Sequence, residues 1–456
     1  MADLESFLRL AEKTAFDAER RQKIDAALAN YRVQHHKGIT QFEQLELAKE
    51  RASFSRWRAI ESLDKFLLEF ENAFTKRGGK VLWAPDAVAA LSEIENIVTQ
   101  HAASEIVISK STTAQEIGLQ KHFTQKQVAV HETDLGEYIV QLANEAPFHP
   151  VTPAMHKSLE EVGALFNLPN SHETTAEQLT AKGCGNIKTH LRNAQVSITG
   201  ANFLVAETGA VVITENEGNV RVGTSAPAVH IVLAGIEKII PGMGDLEVLL
   251  PMLATYGTGQ NLTTYNSLFM GPRFQDEGDG PAEMYVILLD NGRTNVLEKQ
   301  EQRAALKCIR CGACSNVCPI FKTIGGHGYE STNIGPIGSV VSPLQFGAKE
   351  FKHLSHASTL CGACTDVCPV NIPIHQTLLA NRKDFVDEGH GKTSEKLMWI
   401  AWKKAMLDRK KMNRAPSIKG FLIKSLFKSS WGERRVFPEL SAKSFNELWR
   451  EQHDKK

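Results

Sequence analysis

CIRCGACSNVCP at 308–319 and STLCGACTDVCP at 358–369 are two versions of one pattern, and they decide how the C-terminal third of the chain folds. Iron in a cluster is held by thiolates, and gaps of two and three residues let one looped backbone aim successive sulfurs at a single cube. Cys308-x2-Cys311-x2-Cys314-x3-Cys318-Pro319 has that spacing in full. In two-cluster ferredoxins the fourth cysteine of each run reaches across to the other cluster. The spacing therefore predicts Cys308, Cys311, Cys314 and Cys368 on cluster one, and Cys318, Cys361 and Cys364 on cluster two. The second copy is imperfect, because Ser358 stands where the first has Cys308. Cluster two then has three thiolates, leaving either a [4Fe-4S] cube with a non-cysteine fourth ligand or a [3Fe-4S] cluster. Candidates for the fourth ligand are the Ser358 oxygen, a water, a nearby histidine, or the thiol of Cys184 if the middle of the chain folds onto the cluster. Paired CxxC elements also make zinc sites, but the full run followed by CxxCxxxCP fits clusters better. Cys184, alone in GCGN, reads as an ordinary small residue near a turn.

Working outward, 456 residues are enough for two or three domains, each with its own core. Lys+Arg and Asp+Glu both total 52, so no global field attracts nucleic acid, which is an unexpected partner here. Seven of the 8 cysteines fall between 308 and 368, and clustering of this kind points to metal in a reducing compartment rather than to disulfides. The opening MADLESFLRL lacks a basic region followed by an apolar core, and no apolar run approaches the ~18 residues of a bilayer span. A cytoplasmic location is the expectation.

The text divides into four stretches. Residues 1–76 read as a helical segment, with Phe66, Leu67, Phe70 and Phe74 at helical intervals, closed by Arg77-Gly78-Gly79. Residues 77–297 alternate helical stretches with short apolar runs, Ile106–Ile108, Val128–Val130, Ser197-Ile198, Val211–Ile213, His230–Leu233 and Tyr285–Leu289, which predicts an α/β domain with a largely parallel sheet. Residues 298–390 read as an α-helical two-cluster ferredoxin-type domain. Residues 391–456 are a basic tail whose run EKLMWIAWKKAMLDRKK suits an amphipathic helix over about 394–412, with Leu397, Ile400, Ala401 and Leu407 on one side. Ile418, Phe421, Leu422 and Leu426 repeat that pattern. Such stripes suit a partner groove, packing on the chain itself, or peripheral contact with an anionic membrane surface.

The stretches SKSTTAQEIGL (109–119), HETDLGEYIVQL (131–142), ITGANFLVAETGAVVITENEGNVRV (198–222), PAVHIVLAGIEKIIP (227–241) and LTTYNSLFMGPR (262–273), together with CIRCGACSNVCP, resemble the lactate-utilisation iron–sulfur proteins, the B subunit of a three-part system. The resemblance spans roughly residues 77–375. It implies a middle, LUD-type domain folded like CoA transferases and sugar-phosphate isomerases, two [4Fe-4S] clusters on the seven cysteines named above, and a role in oxidising L-lactate to pyruvate with two partner subunits. It also implies that the missing cysteine at 358 is common to the family.

Within the middle domain the residues suggest a ligand crevice. Lys110, with the hydroxyls of Ser109, Ser111, Thr112 and Thr113 after a strand, suits an anionic ligand, and equally a helix cap followed by Gln115 and Glu116. Glu132 and Asp134, with Glu137, face the same crevice or serve a helix's first turn. Glu207 begins a loop at a strand end, where α/β folds place sites. Glu215-Asn216-Glu217-Gly218-Asn219 reads as a tight hairpin, and His230 as a core histidine. No catalytic residue is assigned. The expected role is non-catalytic electron transfer within a lactate-oxidising complex, to an acceptor the sequence does not specify. The alternative is a redox enzyme whose α/β domain converts a small organic acid.

Overall fold

The computed structural model describes residues 4–169, 174–391, 393–408, 420, 421, 425, 436, 441 and 443–453. Ten strands form in chain order: β1 (Lys80–Ala84), β2 (Glu105–Ser109), β3 (Ala129–Glu132), β4 (Val196–Thr199), β5 (Phe203–Val205), β6 (Ala210–Glu215), β7 (Val229–Gly235), β8 (Ile239–Ile240), β9 (Tyr265–Phe269) and β10 (Glu283–Leu289). Six make a central sheet in the order β1-β10-β7-β4-β2-β3, every neighbouring pair parallel. Strands buried on both faces read as continuous apolar runs, as in the wholly buried β7 and the nearly wholly buried β10.

Alternation along each strand assigns the two faces. Ile106, Ile108, Ile231 and Leu233 pack with Ile94, Ala114 and Phe123 from the helices Ala87–Gln100, Thr112–Glu116 and Leu119–Gln125. On the other face Val232 and Ala234 meet Leu67, Phe70 and Phe74 of the helix Leu63–Thr75. Val107 meets the helices Leu135–Leu142, Leu159–Leu165 and Ala176–Asn193.

The expectation of one sheet was incomplete. Val211–Ile213 lies in a second, four-stranded sheet of order β8-β5-β6-β9, in which β6 runs antiparallel to both neighbours. β5 and β8 are too short to register as runs. The expected hairpin at 215–219 is instead a strand-to-helix turn. Gly218 takes a left-handed conformation, and the Glu215 carboxylate accepts from the Val220 and Arg221 N–H groups at 2.7 and 3.0 Å, capping the helix Asn219–Ser225.

The chain divides into two compact units, Met1–Phe385 and Val386–Lys456. Within the first, the N-terminal helices, the second sheet and the cysteine-dense segment share one core. Ala52 and Ile60 of the helix Leu45–Glu61 pack in the same cluster as Phe203, Val212, Met252, Cys311, Cys314 and Val370. Arg56, 1% exposed, donates to the carbonyls of Glu237, Ile239, Leu306 and Lys307, tying that helix to the α/β region and to the approach to Cys308. A buried guanidinium is tolerated when its donors are all used in this way.

In the second unit the helix Thr393–Met406 has no buried residue, and Leu397, Trp399, Ile400 and Trp402 are exposed along it. The expected continuation to 412 and most of the second stripe, including Ile418, Leu422 and Leu426, lie outside the described residues. Among the described residues no helix is long and apolar enough to cross a membrane.

Candidate metal centre

The duplicated pattern folds into duplicated turns. Arg310 and Leu360 have φ of 61° and 53°, and Gly312 and Gly362 follow with φ of 77° and 88°. That conformation favours glycine after Cys311 and Cys361, and at Gly312 a Cβ would also lie 2.9 Å from the His149 ring. Each turn opens a short helix, Ala313–Val317 and Ala363–Asp366.

The thiols fall into two neighbourhoods. Burial pushes Cys314 well above the usual thiol range, and the charges of Cys308, Cys311 and Cys368 push it further. Burial, Cys308 and Cys368 do the same to Cys311. Cys364 is raised to about 12 by burial and by Cys318 and Cys361. Thus Cys308, Cys311, Cys314 and Cys368 neighbour one another, and Cys318, Cys361 and Cys364 form the other set. Among the described residues no three cysteines bring their sulfurs within 4.8 Å of one another. A tetrahedral zinc ion needs sulfurs about 3.8 Å apart. Thiols this buried lose a proton only when a metal cation replaces it, and the four-thiol set, with its CxxCxxCxxxCP spacing, fits a cluster on those grounds.

Buried cations accompany the first set. The charge of Cys308 acts on Arg56 and Lys238, and that of Cys368 on Lys307, each cation itself pulled down by burial. Lys307 Nζ donates to Ser53 Oγ at 2.8 Å and to the Asn371 carbonyl at 3.2 Å. Sequence reasoning missed all three. Only Lys307, adjacent to Cys308, carried a signal, since Arg56 and Lys238 lie more than sixty residues away.

A cavity of about 340 Å³ is lined at one end by Cys308, Cys311, Cys314 and Cys368, and at the other by Lys110, Asp134 and Glu217. The second end lies beyond the carboxyl ends of β2 and β4. From β2 the chain goes on to β3 on one side, and from β4 the sheet is continued by β7 on the other, so this is a topological switch point, the usual ligand crevice of such sheets. Lys110 has φ of 26°, a strained value for a non-glycine residue. Its ammonium donates to the Val151 carbonyl at 2.6 Å and lies 3.8 Å from Asp134. Ser111 is a helix cap, its Oγ accepting from the Ala114 N–H at 3.1 Å. Burial and Asp134 raise Glu217, whose carboxylate accepts from the Leu135 N–H at 3.0 Å, to about 7.

The four residues expected to share this crevice do not all do so. Lys110 and Asp134 line it together. Glu132 lines a neighbouring cavity of about 790 Å³ with Glu137 and His149. Burial, then the charges of Glu137 and Asp134, hold Glu132 well above the carboxylate range. Glu207 lines neither cavity, and its carboxylate accepts from the Met243 N–H at 3.0 Å. Glu207 follows β5, which belongs to the second sheet and not to the sheet that holds the switch point. His230 is fully buried, bonded to Thr199 Oγ1 at 2.8 Å, and pushed down by burial to about 3, a neutral core histidine. Cys184 is exposed on the helix Ala176–Asn193, which packs against β2 and β3.

Comparison with known proteins gives two family matches, a LUD domain over residues 67–289 and a 4Fe-4S dicluster domain over residues 304–372. A Bacillus subtilis protein named lactate utilization protein B is 38% identical over 372 residues, covering 79% of this chain and 78% of that one. Its namesake from Oceanobacillus iheyensis is 35% identical over 449 residues, covering 94% and 93%. An Escherichia coli protein named uncharacterized electron transport protein YkgF is 36% identical over 423 residues, covering 89% and 88%.

Proposed function

Because the chain belongs to the lactate utilization protein B family, we propose that it is the iron–sulfur subunit that relays electrons in a complex oxidising L-lactate to pyruvate, working with two further subunits in the cytoplasm. The observation that carries this reading is the division of seven cysteines into a set of four and a set of three within one domain. Cys308, Cys311, Cys314 and Cys368 hold the first [4Fe-4S] cluster, and Cys318, Cys361 and Cys364 the second. Bound there, the clusters supply one-electron acceptance and donation, which splits the two-electron oxidation of lactate into single steps. The chain's own residues set the conditions. Arg56, Lys238 and Lys307 offset the negative charge of the first set in a buried site, and the exposed Cys361 brings the second set to the surface. A middle domain folded like CoA transferases and sugar-phosphate isomerases belongs to the same reading.

One observation favours a second reading, in which the α/β domain binds a small organic acid itself: the cavity joining the first thiol set to Lys110 and Asp134. Anaerobic assay of the purified chain separates the two. A relay subunit bleaches in the visible on addition of L-lactate only when its partner subunits are present, whereas bleaching by the chain alone supports the second reading.

A further inference from the structure

The two cysteine turns can be compared atom by atom at the position where the repeat breaks. In the first turn the Arg310 N–H donates to Cys308 Sγ at 3.4 Å. In the second the Leu360 N–H donates to Ser358 Oγ at 3.2 Å. Arg310 and Leu360 share the same left-handed backbone, and the glycines two residues on do as well. The Ser358 oxygen thus holds, within its own turn, the place that the Cys308 sulfur holds in the other. The backbone there is fixed, because Arg382 donates to the Ser355 and Ser358 carbonyls, both at 2.9 Å. Cys184, the remaining cysteine, lies outside the cysteine-dense segment. It is exposed on the helix packed against β2 and β3.

We propose that the Ser358 side-chain oxygen is the fourth protein ligand of the second cluster, an assignment that rests on the two-cluster reading above. Binding replaces the Ser358 O–H bond with an Fe–O bond, and the proton leaves to solvent, which reaches the site beside exposed Cys361. No electron moves in that exchange. Oxygen is a harder donor than thiolate and favours ferric over ferrous iron, so Ser358 sets the second cluster to a lower midpoint potential than four thiolates would. The substitution is then a device that makes the two clusters unequal.

The test compares the full-length wild type with Ser358→Ala and Ser358→Cys, all prepared anaerobically, by iron and sulfide analysis and by electron paramagnetic resonance. The wild type and Ser358→Cys should hold about eight irons, and Ser358→Ala about seven or fewer. Ser358→Ala should develop a three-iron signal on mild oxidation several-fold faster than wild type. Ser358→Cys should suppress that signal and shift the second cluster's midpoint upward, with the first cluster's signal unchanged in all three as the control for folding. If Ser358→Ala matches wild type in iron content, in the rate of three-iron formation and in midpoint, the assignment is overturned while the two-cluster reading stands. Sulfide missing from all three proteins would overturn both.

Discussion

The two cysteine sets come from one duplicated sequence and meet in one core, which holds Cys364 of the second beside Cys311 and Cys314 of the first, yet they differ in how far they reach the surface. Cys311, Cys314 and Cys368 are buried in a core shared by the N-terminal helices, the second sheet and the helix Leu246–Thr258, and three buried cations lie near them. Cys361 of the other set is exposed, and its thiol is drawn down by the Ala363 N–H and the Thr359 hydroxyl. The difference teaches that ligand spacing specifies a cluster, while packing around it specifies what the cluster does. A buried site beside a cavity suits the inner end of a relay, and a surface site suits exchange with another protein.

The largest expected contrast is in folding. Cys314→Ala should abolish the first cluster and destabilise the first unit by on the order of 3 kcal/mol, because ligand loss leaves a void and unpaired thiols in the common core. Cys361→Ala should remove the second cluster and cost about 1 kcal/mol or less at a solvent-facing position. Thermal denaturation followed by circular dichroism checks both, and equal losses would break the distinction between an inner and an outer site.

A smaller effect sharpens the electrostatic half of the comparison. Lys238 is buried, with a pKa pulled down by burial to about 8, and it lines the cavity at the Cys308 end. Its charge favours the more negative, reduced state of the first cluster. Lys238→Met should therefore lower that cluster's midpoint, through loss of on the order of 1–2 kcal/mol of charge–charge interaction. The second cluster's midpoint should stay where it is. Potentiometric titration followed by electron paramagnetic resonance checks this, and a matching shift of both clusters would show that Lys238 does not distinguish them.

Much of this architecture was legible because it was local. The spacing of Cys308 to Cys318 is a property of one loop, and the apolar runs at Ile106–Ile108, His230–Leu233 and Tyr285–Leu289 announce buried parallel strands whatever surrounds them. What escaped was set by contact between distant segments. β5, β8 and β9 are short or half-exposed and become strands by pairing with β6 and with one another. Glu217 reaches the crevice only because the Glu215 carboxylate turns β6 into a helix instead of a hairpin. Glu207 was drawn into the crevice by its position after a strand, and only the sheet order shows that strand to belong elsewhere. Arg56 could not be read at all, since four carbonyls from two distant segments define its role.

All of these contrasts rest on one chain carrying two iron–sulfur clusters on its two cysteine sets. Quantifying iron and acid-labile sulfide in anaerobically purified protein, with electron paramagnetic resonance during stepwise reduction, tests it most directly. About eight irons and eight sulfides per chain are expected, with two paramagnetic species that appear at different potentials. Stoichiometric zinc without sulfide, or a single species accounting for all the iron, would contradict it.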